Sequence, residues 1–288
     1  MKPAYIFVVL AAVAVGGAFL MLKHSPSAPA SAPVEAIIEQ PRTETPMDQY
    51  TRFFDKKTFD VDDGKQKRTI TYYWRAPEKP YPPGLAFPLV LVLHGAPGTA
   101  YAAEYLISQK MQVDFPAFIV APEAPATKKW AFPDKFSGQE WGDKVPATYV
   151  RHPELESLPD AVELVHRLEK EFPVDARRIY ILGCSEGGVG AFAAAQRYPD
   201  VFAASVAISG AWSFLDAPKM THMPLWIIHG TQDPIMPVAI ARGMAQLIRQ
   251  QHGPVSYTEL PDMGHECPSP ALYGRPLWQW LFSQKKPS

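Results

Sequence analysis

Several short segments are apolar at nearly every position: Leu89–Leu93, Ala117–Ala121, Ile179–Leu182, Ala203–Ile208 and Leu225–Ile228. A strand with one wet face alternates apolar and polar residues; a strand buried on both faces does not. These runs therefore predict central strands of a covered sheet. Val255–Leu260 predicts a last strand. Phe53–Val61 and Arg68–Trp74 predict an antiparallel opening pair around the turn Asp62-Asp63-Gly64. Between the strands the period changes. Over Ser157–Phe172 the apolar residues Ala161, Leu164, Val165, Leu168 and Phe172 follow the i, i+3, i+4 stripe of an amphipathic helix. Ser157 with Asp160 resembles a capping box, Pro159 is tolerated in the first turn, and Pro173 ends the helix. Val238–Gln251 reads as a second such helix and Pro276–Phe282 as a short closing one. Alternation of this kind predicts an α/β fold, a mostly parallel sheet covered by helices on both faces.

The N-terminus breaks the pattern. Ala4–Leu22 is a continuous apolar run of 19 residues between Lys2 and Lys23-His24. That is close to the roughly 20 residues that span a bilayer and longer than the roughly 7–15 of a signal-peptide core. Residues 1–24 are expected to be a membrane anchor, with a signal cleaved near Ala28-Pro29-Ala30 as the alternative. Residues 25–47, rich in Pro, Ala and Ser, read as an extended tether. Residues 48–285 are left as one catalytic-sized domain, expected on the exported (periplasmic or extracellular) side of a membrane. The formal net charge of −1 argues against nucleic acid as a partner, because phosphate binding needs a dense basic face.

Candidate chemistry centres on Gly183-Cys184-Ser185-Glu186-Gly187-Gly188, which follows the apolar run Arg178–Leu182 and precedes Val189–Ala195. Strand, sharp turn and helix with a serine at the apex form a nucleophile elbow. A serine hydroxyl needs a base, and the base needs an acid to orient it. Of eight histidines, His265 directly follows the last strand, on the same rim as Ser185. Asp233, in His229-Gly-Thr-Gln-Asp233-Pro, follows the strand Leu225–Ile228 and is the expected acid; Asp216 and Asp262 are its rivals. Leu93-His94-Gly95-Ala96-Pro97 ends the first buried strand, so the N–H groups of Ala96 and Glu186 are the expected oxyanion donors. Pro97 has no N–H. His94 and His229 read as hydrogen-bonded strand-end histidines. No His, Cys or carboxylate cluster has metal-ligand spacing and no Gly-x-Gly-x-x-Gly opens a helix, so neither metal nor nucleotide cofactor is expected.

Together these segments resemble the α/β-hydrolase superfamily over roughly residues 50–285. The likeness rests on Pro88–Gly95, Arg178–Gly188, Pro224–Asp233 and Gly264-His265. Within the superfamily they are similar to esterase, polyhydroxybutyrate-depolymerase-like and "predicted peptidase" proteins. The resemblance implies an eight-stranded sheet and hydrolysis of small or polymeric esters through an acyl-enzyme. It leaves two rivals: a serine peptidase of the prolyl-oligopeptidase type and a non-catalytic scaffold. Cys184, Glu186 and Pro97 depart from the usual pattern around the site.

Two further features bear on the site. The long segment Ala124–Glu156 leaves the carboxyl end of a strand and carries Trp130 and Trp141, while Trp212 follows Ser209-Gly210-Ala211 at another strand end. These three are the expected substrate-binding residues, with packing within the domain as the competing role. Trp226, in mid-strand, reads as core. Cys184 and Cys267 are the two cysteines of the chain, beside the expected nucleophile and base. They read either as two reduced, buried side chains or as a disulfide formed in an oxidising compartment; the demanding geometry of the bond favours the former.

Overall fold

A computed structural model describes residues 54–287 except 63, 65–66, 96–108, 136–150 and 268–271. The expected membrane segment (1–24) and tether (25–47) lie outside the described residues. Among the described residues no helix is long and apolar enough to cross a membrane.

Eight strands form one sheet: β1 (Asp55–Asp62), β2 (Lys67–Arg75), β3 (Phe87–Leu93), β4 (Phe118–Pro122), β5 (Val174–Cys184), β6 (Ala204–Ile208), β7 (Leu225–Gly230) and β8 (Val255–Leu260). Their order is β1-β2-β4-β3-β5-β6-β7-β8. The pairs β1–β2 and β2–β4 are antiparallel; all later neighbours are parallel. The expected opening hairpin and mostly parallel sheet are both present.

Side-chain alternation divides the sheet's two faces. Leu89, Leu91, Leu93, Ile179 and Ile181 face a core built with α2 (Leu158–Glu171), α3 (Glu186–Arg197) and α4 (Val238–Gln250). Val90, Val92, Tyr180, Leu182 and Cys184 face the other core, closed by α5 (Arg275–Ser283) through Leu277, Trp278 and Leu281. Met111 and Phe115, on and just after α1 (Gln109–Asp114), pack against that second core. Residues with no polar position are thus needed wherever helices lie on both sides.

Two local readings change. β5 starts at Val174, five residues before its apolar run, because Val174–Arg178 is only partly covered and carries Asp175, Arg177 and Arg178. Trp226 is not in the sealed core. It sits partly buried near the β8 edge, its Nε1–H donating to Thr258 Oγ1 (3.1 Å) and its ring edge-on to Trp280 (5.1 Å).

Candidate active site

The elbow has the backbone that its glycines predict. Ser185 has φ 58° and ψ −118°, a region that L-residues rarely occupy and that functional sites tolerate. The turn closes because Gly183 and Gly187 lack side chains. A Cβ on Gly183 would lie 2.3 Å from the Gly187 carbonyl carbon, and one on Gly187 would lie 2.1 Å from the Leu93 carbonyl oxygen. The Ser185 N–H donates to the Ile208 carbonyl (2.9 Å), which fastens the apex to the neighbouring strand end.

The expected base and acid follow the carboxyl ends of β8 and β7. His265 Nε2 lies 2.8 Å from Ser185 Oγ, and His265 Nδ1 lies 2.7 Å from Asp233 Oδ2. The other carboxylate oxygen of Asp233, Oδ1, accepts the N–H groups of Ile235 (2.9 Å) and Met236 (2.8 Å). Asp233 is fixed by its own loop before it meets the imidazole. The rival carboxylates are engaged elsewhere: Asp216 with Lys219 (2.7 Å) and Asp262 with the Gln232 amide (3.0 Å).

Of the expected oxyanion donors, Glu186 opens α3, where the first N–H groups have no intrahelical acceptor. Ala96 lies outside the described residues. The turn leading to it passes close to Ser185, since a Cβ on Gly95 would sit 3.8 Å from Ser185 Oγ. His94 holds this turn from both ring nitrogens. Ala124 N–H donates to Nε2 (3.0 Å), so Nδ1 carries the proton and donates to the Gly95 carbonyl (2.9 Å). Burial pushes the His94 imidazole below the usual histidine range, in keeping with this neutral form.

The expected substrate residues are placed differently. Trp130 is 1% exposed and Trp212 fully buried, so neither indole presents a face to a substrate. Each found an internal acceptor: Trp130 Nε1–H donates to the His94 carbonyl (2.8 Å) and Trp212 Nε1–H to Gln196 Oε1 (2.9 Å). They carry the rim from beneath. Trp141 lies outside the described residues. The Glu186 carboxylate joins this support, pairing with Lys129 Nζ (2.9 Å) and accepting the Trp130 N–H (3.3 Å).

Sequence reasoning missed Glu156. Its buried carboxylate accepts from Arg151 Nε (2.8 Å), Arg151 Nη2 (2.7 Å), Arg197 Nη1 (3.0 Å) and the Phe132 N–H (3.0 Å). Beside it, Lys129 N–H donates to the Leu155 carbonyl and Leu158 N–H to the Trp130 carbonyl. The two ends of the long rim segment are clasped here and fastened to α3 through Arg197. Glu156→Ala leaves Asp134 as the one carboxylate shared by both guanidinium groups; since Arg151 is partly exposed and both arginines keep that partner, the expected loss is about 1–2 kcal/mol in a denaturant titration.

A family model described as Phospholipase/Carboxylesterase matches residues 83–273. The chain belongs to the phospholipase/carboxylesterase family. Among relatives of this family member, feruloyl esterase B of Neurospora crassa is 30% identical over 125 residues, 42% of this chain and 38% of the relative. Esterase YpfH of Escherichia coli is 24% identical over 108 residues, 38% of this chain and 47% of the relative. The chain therefore matches less than half the length of either curated relative. The crystal structure of a thermostable esterase superposes with a TM-score of 0.67 at 26% identity, covering 81% of this chain and 64% of that one. The family, its α/β-hydrolase fold and the similarity to esterases agree with the resemblance carried by the elbow and its partner loops.

Proposed function

We propose that this family member hydrolyses carboxylic esters by a two-step acyl-enzyme route. Ser185 Oγ attacks the ester carbonyl while His265 Nε2 takes its proton. Asp233 holds the imidazole with Nδ1 protonated and stabilises the positive charge that forms. The backbone N–H groups of Glu186 and Ala96 receive the oxyanion of the tetrahedral intermediate. His265 returns the proton to the leaving alcohol, then activates the water that releases the acid. The observation that carries this reading is the unbroken Ser185–His265–Asp233 hydrogen-bonded chain.

Small or polymeric esters are the proposed substrates, and the feruloyl esterase relative makes feruloyl esters the first class to try. We place the catalytic domain, residues 48–285, outside the cytoplasm on the anchor formed by residues 1–24. The Ala4–Leu22 run supports this, and so does a Cys184–Cys267 disulfide, found where two reduced side chains were expected: the fold brings the two Cα atoms within 5.7 Å, inside the range the bond needs, and such bonds persist in oxidising compartments.

A fluorophosphonate probe followed by peptide mapping tests the nucleophile, and matched feruloyl and p-nitrophenyl esters and amides test the reaction. The adduct is expected on Ser185, with esters turned over and amides spared. An adduct on another residue removes the nucleophile assignment; amide turnover equal to ester turnover turns the reading into the peptidase one.

A further inference from the structure

Behind the Asp233 carboxylate lies a second imidazole that the mechanism does not use. His229 is the penultimate residue of β7 and is completely buried. Its Nε2 is 2.8 Å from the Met236 carbonyl oxygen and 3.3 Å from Asp233 Oδ2. A carbonyl can only accept, so Nε2 carries the ring proton. Nδ1 is buried and has no hydrogen-bond partner among the described residues. A second proton there would meet no acceptor, and burial holds this imidazole below the usual histidine range. The ionisable groups whose charges act on it are Asp233, His265 and Glu259. Glu259 is itself engaged by Arg242 (2.6 Å) and the Tyr257 hydroxyl (2.7 Å).

Met236 is thereby held at both ends of its backbone. Its N–H donates to Asp233 Oδ1, and its carbonyl accepts from His229. The loop between them carries the acid. Resting on the catalytic reading above, we infer that His229 is a positioning residue: its neutral Nε2–H fastens the Met236 carbonyl and flanks Oδ2, fixing the direction in which Asp233 meets His265. Neutrality matters as much as position. A cation 3.3 Å from Oδ2 would offset the negative charge that the His265 imidazolium requires during turnover.

Two variants separate positioning from packing. His229→Phe keeps an aromatic ring but removes the N–H; His229→Gln returns an N–H near the Nε2 position. With active enzyme counted by fluorophosphonate titration, His229→Phe is expected to lower kcat roughly three- to tenfold, the size of one lost hydrogen bond between neutral groups. KM should stay within about twofold and the acid limb of the kcat/KM profile should move to lower pH. His229→Gln should recover most of kcat. Unchanged kcat and pH profile in His229→Phe, or equal losses in both variants, overturn the inference. Should neither variant fold, ¹⁵N-histidine NMR of the wild-type protein decides. It must show His229 as the neutral Nε2–H tautomer throughout the pH range over which activity rises; the Nδ1–H tautomer or a charged ring there refutes the proposal. Wild-type labelling at Ser185 is the control. Its absence would mean that the catalytic reading had failed, whereas labelling with an indifferent His229 defeats this inference alone.

Discussion

Asp233→Asn is expected to lower kcat about ten-thousandfold, although it replaces one oxygen by a nitrogen of similar size. Oδ1 accepts two backbone N–H groups, from Ile235 and Met236, so an asparagine must keep its carbonyl oxygen there. Its NH₂ is then forced into the Oδ2 position, 2.7 Å from His265 Nδ1. Two donors cannot face each other at that distance. His265 must turn its Nδ1 lone pair towards the amide, which moves the ring proton to Nε2. A protonated Nε2 cannot accept the proton of Ser185 Oγ, 2.8 Å away. The amide therefore enforces the wrong tautomer, and Asp233→Ala, which enforces none, should be no worse. Steady-state kinetics on both variants, normalised by active-site titration, give the comparison. Asp233→Asn turning over within about tenfold of wild type would mean that another group orients the base.

The proposed reacting groups could be picked out in the sequence because each follows a strand whose position the apolar pattern marks. Ser185 follows a run that must be a central strand, and its glycines are demanded by the 2.1–2.3 Å approaches at Gly187 and Gly183. Asp233 and His265 follow the next such runs, so chain order and strand order together bring them to one rim. Contacts that tie distant segments together leave no such trace. Glu156 looks like any loop carboxylate until folding brings Arg197 to it from α3. Trp130 and Trp212, between prolines or beside a glycine, have the same local surroundings whether they line a pocket or support one. The deciding fact is an internal acceptor for each indole N–H, and those acceptors are far away: His94 for Trp130 and Gln196 for Trp212. His229 could be read as a strand-end histidine, but its partners lie on a loop whose path periodicity does not specify.

Reducing the Cys184–Cys267 disulfide, or replacing both residues by alanine, is expected to cost stability and activity together. The bond joins residues 83 apart in sequence. Chain-entropy reasoning for a loop of this size gives up to about 4–5 kcal/mol, lost when the denatured chain is freed. For a domain of this length, each kcal/mol moves Tm by roughly 2–4 °C, so a fall of about 10 °C is the expected scale. The effect on activity has a separate origin. Ahead of His265, Met263 is held to the acid loop by the Gln232 N–H (2.9 Å), against a glycine, Gly230, that leaves no room for a side chain. Beyond His265, Cys267 is held to Cys184, the residue before the nucleophile. His265 is therefore braced against the Asp233 loop on one side and the Ser185 turn on the other. Cutting the second brace leaves every reacting group in place but lets the imidazole wander from Oγ, so kcat should fall roughly tenfold with KM little changed, as expected when alignment and not binding is lost. Thermal unfolding and kinetics of the double alanine variant, without reductant, separate this from other effects of thiols. A variant with wild-type Tm and kcat would show that the loop's own hydrogen bonds suffice to hold His265 against Ser185.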